Sequence, residues 1–174
     1  VNLTFPLDLS MHTSPEELFL ESAGGAMARY AALLTFDDCS VITLSPELYL
    51  GRDGNTVWSV PMKGTAPRSA DIVEDERIAA ALPEDPKERA ENVMIVDMIR
   101  NDLGRVARVG SVVADPLYTV ERYPSLFQLV STVRAETTAT LARVIAATFP
   151  CASVTGAPKA RTMEIIRDVE PSPR

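Results

Sequence analysis

The spacing of apolar residues along the chain predicts a mixture of helices and short strands. A first helix is expected to begin at the capping box of residues 14–17 and to end at Gly24 and Gly25. Apolar positions recur at helical spacing in four later segments, residues 71–82, 86–106, 138–149 and 158–169. Alternating or β-branched runs predict strands at residues 2–7, 29–36, 40–44, 48–50, 56–60, 111–113, 117–121 and 127–133. Strands interleaved with packing helices indicate the α+β class with antiparallel sheets.

Residues 86–106 have the clearest helical pattern, and one acid falls on its apolar stripe. Glu91 shares that stripe with Met94, Ile95 and Met98, and Asp102 returns to it. A carboxylate in such a place has to be paired, neutralised or bound to a cation. One carboxylate together with substrate oxygens and water suits Mg²⁺, whereas a buried ion pair with a neighbouring Arg or Lys is the alternative.

Residues 150–157 are predicted to form a loop that leads into a helix with Pro158 in its first turn. Gly156 lets the backbone approach a ligand closely, and the free N–H groups of a helix start attract anions. A cradle for a carboxylate or a phosphate is one interpretation, and an ordinary helix start is the other. The position of Lys159 and the lack of paired glycines do not fit a P-loop.

Two further residues are candidates for catalysis. Lys63 follows a predicted strand and precedes Gly64, and an amine is a nucleophile only in its neutral form, which burial favours. A solvated lysine at a strand end is the alternative. Glu47 follows Ser45 and Pro46 and is a second candidate acid, although acids are common in turns. His12 is the only histidine, so no Ser-His-Asp triad or Cys/His zinc site is indicated.

Composition and charge narrow the class of protein. The 174 residues include 17 Lys and Arg against 24 Asp and Glu, a formal net charge of −7. Without a basic cluster, binding to nucleic acid is not expected. No apolar run approaches the roughly 20 residues that a membrane span needs, so no membrane association is expected. Two cysteines far apart in the sequence, Cys39 and Cys151, favour a cytoplasmic location.

Taken together, residues 88–105, 121–133 and 149–166 resemble the motifs of chorismate-utilising enzymes, and the similarity runs in order along the whole chain. That family includes anthranilate, aminodeoxychorismate, isochorismate and salicylate synthases. The resemblance implies an α/β/β/α layered sandwich with the active site between two antiparallel sheets. It also implies that residues 1–174 are part of a chorismate-binding catalytic domain, with an N-terminal region and a C-terminal catalytic tail lying outside this sequence.

The resemblance implies roles for individual residues. Glu91 matches a glutamate that binds Mg²⁺, the expected cofactor. Lys63 matches the lysine of aminodeoxychorismate synthases, whose amine adds to the chorismate ring, and Glu47 matches the acid that protonates the departing hydroxyl. The positions matched to substrate binding are Thr65, Thr155, Gly156 and Ala157.

These matches imply the Mg²⁺-dependent amination of chorismate to 4-amino-4-deoxychorismate, a step towards p-aminobenzoate and folate. The ammonia is expected from a glutamine amidotransferase subunit or a fused domain. Gln128, where anthranilate synthases have a His, and the order Ser153, Thr155, Gly156 favour this activity. Two alternatives stay open. One is anthranilate synthase component I, in which Lys63 would be dispensable, and the other is a non-catalytic member that serves for binding or assembly.

Overall fold

The computed structural model describes residues 1–25 and 28–173 and divides into two compact units. The smaller unit, Pro6–Leu48, contains helix α1 (Pro15–Gly25) and strands β1 (Tyr30–Thr35) and β2 (Ser40–Ser45). The two strands were both predicted, and they form an antiparallel pair. The predicted capping box is also confirmed, because the Glu17 N–H donates to Ser14 Oγ over 3.2 Å and the Ser14 N–H to the Glu17 carboxylate over 3.1 Å.

The larger unit, Val1–Phe5 with Tyr49–Arg174, contains most of the remaining elements. Its strands are β3 (Leu48–Asp53, which begins in the smaller unit), β4 (Thr56–Val60), β5 (Met62–Pro67), β6 (Val113–Ala114), β7 (Thr119–Arg122), β8 (Leu126–Val130) and β9 (Val133–Glu136). Its helices are α2 (Ile72–Ala81), α3 (Pro86–Gly104), α4 (Leu141–Thr148), α5 (Ala152–Thr155) and α6 (Lys159–Val169). One sheet has the order β3-β4-β9-β6 and the other β5-β8-β7, with antiparallel pairing. The expected α+β class with antiparallel sheets is confirmed.

Local capping explains where the long helices begin. The Asp71 carboxylate accepts from the Glu74 N–H at the start of α2, and the Asp85 carboxylate accepts from Lys87 and Glu88 at the start of α3. Thr140 caps α4 in the same way. A side-chain acceptor at this position satisfies backbone donors that have no partner within the helix.

Each sheet of the larger unit has its own hydrophobic core. One core consists of Val57, Ile95, Val96, Ile99, Leu103, Val133, Ala135, Val144 and Ala152. The other consists of Ala79, Leu82, Phe127 and Leu129. Helix α3 packs against strands of both sheets, β9 and β6 of the first and β5 and β8 of the second. It therefore lies against both sheets of the larger unit.

The structure corrects the predicted face of α3. Its buried residues are Asn92, Ile95, Val96, Ile99, Asp102 and Leu103. The side chain of Glu91 is 45% exposed, and Met94 is 47% exposed. The burial predicted for Glu91 is therefore wrong, because the helix turns Asn92 rather than Glu91 towards the core. The burial expected for Asp102 is confirmed.

Several strand predictions also need correction. Residues 2–7 are all described, and none of them lies in a strand or a helix. Residues 61–67, where no strand was predicted, contain β5, and the run 127–133 divides between β8 and β9 in different sheets. The predicted loop 150–157 contains the short helix α5, and Pro158 precedes α6 as its N-cap. In the described part of the chain, no helix is long and apolar enough to cross a membrane.

Candidate active site

Lys63 lies at a β-bulge in strand β5. Met62 pairs with Val130 and Thr65 pairs with Gln128, so that Lys63 and Gly64 together face the single residue Leu129. Gly64 has a φ of +105°, which side-chain-bearing residues rarely adopt. An extra residue of this kind bends the strand and changes the direction of the side chains beside it. The bulge therefore determines where the Lys63 side chain points.

The amine of Lys63 reaches the segment that carries the other predicted site residues. Its Nζ donates to the carbonyl oxygen of Ser153 over 3.3 Å, and the side chain is half-buried. The side-chain amide of Asn2 donates to the same carbonyl. The structure thus brings together Lys63 and residues 150–157, which are about 90 positions apart in the sequence.

Asn92 supports the bulge from helix α3. It is fully buried, and its Nδ2 donates to the carbonyl oxygens of Lys63 over 3.1 Å and Leu129 over 3.2 Å. Its Oδ1 accepts from the Ser131 hydroxyl over 2.6 Å. Sequence reasoning missed this residue. The available signal was its spacing of three, four and seven residues before Ile95, Val96 and Ile99, which places it on the buried face.

Glu91 lies beside Asn92 on α3 and is accessible. Its carboxylate is 3.3 Å from the Lys87 ammonium, which also pairs with Glu88 over 2.8 Å. The hydrogen bonds that Lys87 donates, first to Glu88 and then to Glu91, raise the pKa of Lys87 above its ordinary value. Within the described residues, no group of three or more His, Cys, Asp or Glu side chains is placed to hold a metal ion. Glu91 can offer one carboxylate ligand to a cation.

The segment containing Thr155 and Gly156 is internally bonded. The Gly156 N–H donates to the carbonyl of Ala152 over 3.0 Å, and the Thr155 hydroxyl donates to that of Cys151 over 3.0 Å. The Gly156 N–H therefore closes the turn of α5. Ala157 follows and is half-buried.

The first residues of the chain lie along this same segment. The Asn2 N–H donates to the carbonyl of Thr155 over 2.9 Å. A Cβ added to Gly156 would lie 3.0 Å from the Val1 nitrogen and 3.2 Å from Thr162 Cγ2. The Val1 backbone and the Thr162 side chain therefore leave no room for a side chain at position 156.

Thr65 and Gln128 face each other on adjacent strands. The Thr65 hydroxyl donates to Gln128 Oε1 over 2.9 Å, and Thr65 is exposed. This contact fixes the orientation of the Gln128 amide, so that its nitrogen is directed away from Thr65. Two residues singled out from the sequence for different reasons are therefore in direct contact.

Glu47 belongs to the smaller unit and lies directly after β2. Its N–H donates to Ser45 Oγ over 3.2 Å, and the Ser45 hydroxyl donates to the Glu47 carbonyl over 3.0 Å. The residue is half-buried. These two bonds hold the backbone of Glu47 in a tight turn within its own unit.

A buried ion pair fixes the helix that follows the site segment. Lys159, the first residue of α6, pairs through Nζ with the Asp102 carboxylate of α3, and their side chains are 16% and 8% exposed. Arg105 pairs with the same carboxylate over 2.8 Å, and Lys159 also donates to the carbonyl of Thr148 over 3.3 Å. The start of α6 is thereby tied to α3.

Comparison with known proteins gives consistent matches. The profile of the family described as chorismate binding enzyme matches residues 1–174. An aminodeoxychorismate synthase from Streptomyces griseus is 51% identical over 151 residues, which are 84% of this chain and 21% of that protein. An anthranilate synthase component 1 from Haloarcula marismortui is 46% identical over 149 residues, which are 84% of this chain and 30% of that protein.

A solved structure shows the same arrangement of elements. The crystal structure of anthranilate synthase component I from Streptococcus pneumoniae superimposes with a TM-score of 0.80 at 29% identity. The match covers 92% of this chain and 35% of that one. The chain thus spans between 21% and 35% of the length of the proteins it is compared with here.

Proposed function

The chain belongs to the chorismate-binding enzyme family, and from this membership we propose that the protein containing it aminates chorismate to 4-amino-4-deoxychorismate, as an aminodeoxychorismate synthase component I. The observation that supports this best is the place of Lys63. It stands at a bulge with its amine against the segment 150–157 and its carbonyl against the helix that carries Glu91. A relative with 51% identity has the name aminodeoxychorismate synthase.

The proposed reaction uses the Lys63 amine as a nucleophile. The neutral amine adds to ring carbon two of chorismate, the ring double bonds shift, and the hydroxyl leaves from carbon four. Glu47 is the proposed acid that protonates this hydroxyl as it departs. Ammonia then adds at carbon four and releases the lysine. Covalent catalysis of this kind replaces one difficult displacement by two easier ones.

Glu91 is the proposed ligand for Mg²⁺. Its half-exposed carboxylate fits this role, because Mg²⁺ in enzymes commonly takes one or two carboxylates and keeps several waters. When bound, the ion would offset the negative charge of the ring carboxylate of chorismate. Thr65 and the segment of Thr155, Gly156 and Ala157 are the proposed contacts to the substrate.

The source of ammonia and the location follow from the same proposal. We expect a glutamine amidotransferase, as a separate subunit or a fused domain, to deliver ammonia to the site. We place the protein in the cytoplasm, in line with two cysteines that lie far apart in the sequence.

Anthranilate synthesis is the second candidate, and the 46% identity to a protein of that name favours it. The two reactions differ in the fate of the enolpyruvyl group. Aminodeoxychorismate retains this group, whereas anthranilate formation releases pyruvate. Measuring pyruvate during turnover of chorismate with ammonium therefore separates them, and stoichiometric release would favour anthranilate synthesis.

The proposed role of Lys63 is tested in the complete natural protein with chorismate, ammonium and Mg²⁺. Lys63→Ala is expected to abolish amination while chorismate binding in the presence of Mg²⁺ stays within about threefold of wild type, since a nucleophile acts only in the reaction. Product is followed by chromatography and binding by calorimetry. Turnover within a fewfold of wild type would show that Lys63 is not the nucleophile.

The proposed role of Glu91 needs a different measurement. Glu91→Gln keeps the shape of the side chain and removes its charge. Mg²⁺ affinity should fall by about tenfold or more, because losing a residue that only hydrogen-bonds to a metal ligand already costs at least that much. Glu84→Gln is the matched control, because Glu84 is an exposed acid just before α3 that pairs with Arg89. Equal Mg²⁺ titrations of the two variants would contradict a metal-binding role.

A further inference from the structure

We propose that Asn92 is a positioning residue that sets the direction of Lys63 by holding both sides of the bulge in β5. This inference rests on the function proposed above for Lys63. Asn92 itself touches neither a substrate nor a reacting atom in this assignment. It acts through the backbone of Lys63 and of Leu129, to which its amide is bonded.

The bulge creates the need for an outside donor. Two residues, Lys63 and Gly64, face one residue, Leu129, so the regular ladder of backbone hydrogen bonds is interrupted between them. A buried carbonyl requires a donor from elsewhere. The two hydrogens of Asn92 Nδ2 supply one bond to the carbonyl on each strand, over 3.1 and 3.2 Å. One side chain therefore bridges the interruption.

The orientation of the Asn92 amide is fixed by a second residue. The Tyr118 N–H donates to Ser131 Oγ over 3.0 Å, so the Ser131 hydroxyl is free to direct its own proton to Asn92 Oδ1 over 2.6 Å. With its oxygen engaged in this way, the amide must present its nitrogen to the two carbonyls. A buried network with every member bonded favours one arrangement over others.

Helix α3 thereby links two groups of the proposed site. Glu91, the proposed metal ligand, precedes Asn92 directly, and Asn92 is bonded to the peptide unit of Lys63. The Asn92 amide therefore joins the peptide unit of the amine to the helix of the carboxylate by a direct hydrogen bond. A displacement of about 1 Å in such an arrangement can reduce a rate by about 100-fold.

The test compares three variants of the complete natural protein. Asn92→Asp keeps the shape and removes both N–H donors. Ser131→Ala keeps these donors and releases the amide oxygen. Thr137→Val is the control, because Thr137 is also buried and donates to a backbone carbonyl, that of Val106, just beyond the far end of α3. Acetylation of lysine amines by an N-hydroxysuccinimide ester, followed by mass spectrometry, reports the protection of Lys63.

In Asn92→Asp we expect the rate of Lys63 acetylation to rise by about tenfold, because a local contact worth about one hydrogen bond is lost. Lys159, which is buried in its ion pair, should keep its wild-type protection. The kcat for amination should fall by about 100-fold with KM within about threefold of wild type. Thr137→Val should lose stability without either change. Wild-type labelling of Lys63 together with wild-type kcat in Asn92→Asp would overturn the proposal.

If both lysines become reactive in Asn92→Asp, the variant has unfolded and Ser131→Ala decides. A selective rise of Lys63 labelling there supports the proposal, and wild-type labelling overturns it. Because labelling requires no turnover, it also separates the two proposals. If the wild-type protein does not aminate chorismate and Asn92→Asp still exposes Lys63 selectively, the proposed function fails while the positioning role of Asn92 stands.

Discussion

At Gly64, both the backbone conformation and the packing exclude a side chain. Its φ is +105°, and an added Cβ would lie 2.9 Å from Leu129 Cβ and 3.3 Å from Glu88 Cβ. Gly64→Ala is expected to destabilise the protein by about 2–4 kcal/mol, since backbone strain and overpacking add. Urea unfolding provides the measurement.

Gly54→Ala is the matched control for Gly64→Ala. Gly54 has a φ of +54°, and in the described part of the chain nothing lies within 4 Å of its added Cβ. Only the backbone penalty of about 1–2 kcal/mol then applies. If the two variants lose the same free energy of unfolding, the contact with Leu129 adds nothing to the cost of a side chain at position 64.

Individual residues of α3 show what sequence reasoning can and cannot assign. A stripe drawn through Glu91, Met94 and Met98 differs by one residue from the face that is buried. Ile95 belongs to both the predicted stripe and the buried face, so its position did not show which of the two faces the core. Asn92 was overlooked because the burial of an amide depends on the acceptors it meets, here two carbonyls at a bulge. That bulge lies in a strand that was not predicted.

At the scale of elements, helices were easier to predict than strands. The starts of α2 and α3 are set by capping residues next to them in the sequence, Asp71 and Asp85. Strand β5 escaped prediction because Gly64 and Pro67 normally interrupt strands. Both are tolerated here because β5 is at the edge of its sheet and contains a bulge. Whether such a segment forms a strand depends on pairing partners that are distant in the sequence, and the local pattern carries no information about them.

The attachment of α2 to the end of β5 should depend on pH. The Arg68 guanidinium donates to the Asp75 carboxylate over 2.7–3.0 Å, and the Ser69 N–H donates to it over 2.9 Å. The hydrogen bonds from Arg68, then from Ser69, hold the pKa of Asp75 below its ordinary value. A lowered carboxyl pKa stabilises the folded protein above the unfolded-state pKa of about 3.9, and this stabilisation disappears as the pH falls through the folded-state pKa.

Asp75→Asn should therefore be less stable than wild type at pH 7, and the difference should shrink towards zero as the pH is lowered below 4. Urea midpoints of both proteins, measured at several pH values between 7 and 2, provide the test. Titration of the other carboxyls is common to both proteins and cancels in the comparison. A difference that stays constant over this range would mean that the Arg68 pair does not depend on the charge of Asp75.

At the scale of the whole molecule, the candidate site is assembled from distant parts of the sequence. The carbonyl of Ser153 accepts hydrogen bonds from Lys63, 90 positions away, and from Asn2, 151 positions away. Nothing in local periodicity indicates that these segments meet. From the sequence, only the resemblance to a family assigned these segments to one site. The structure brings Lys63 and residues 150–157 together in the larger unit.

The same unit depends on the buried pair of Asp102 and Lys159, which ties α6 to α3. Asp102→Asn leaves the Lys159 ammonium, only 16% exposed, without a counter-charge from Asp102, and we expect a loss of about 3–5 kcal/mol. Lys159→Met should lose less, about 1–3 kcal/mol, because Asp102 keeps its ion pair with Arg105 at 2.8 Å. The double variant should be more stable than the sum of the single losses predicts.

Unfolding in urea, followed by the fluorescence of Trp58, the single tryptophan, measures these losses in the larger unit. Arg161→Met is the control on the same helix, because its pair with Glu164 is exposed and should contribute no more than about 1 kcal/mol. Salt should weaken only this exposed pair, since buried charges are screened much less. Additive losses in the double variant would show that Asp102 and Lys159 stabilise the molecule independently, and that their ion pair does not tie α6 to α3.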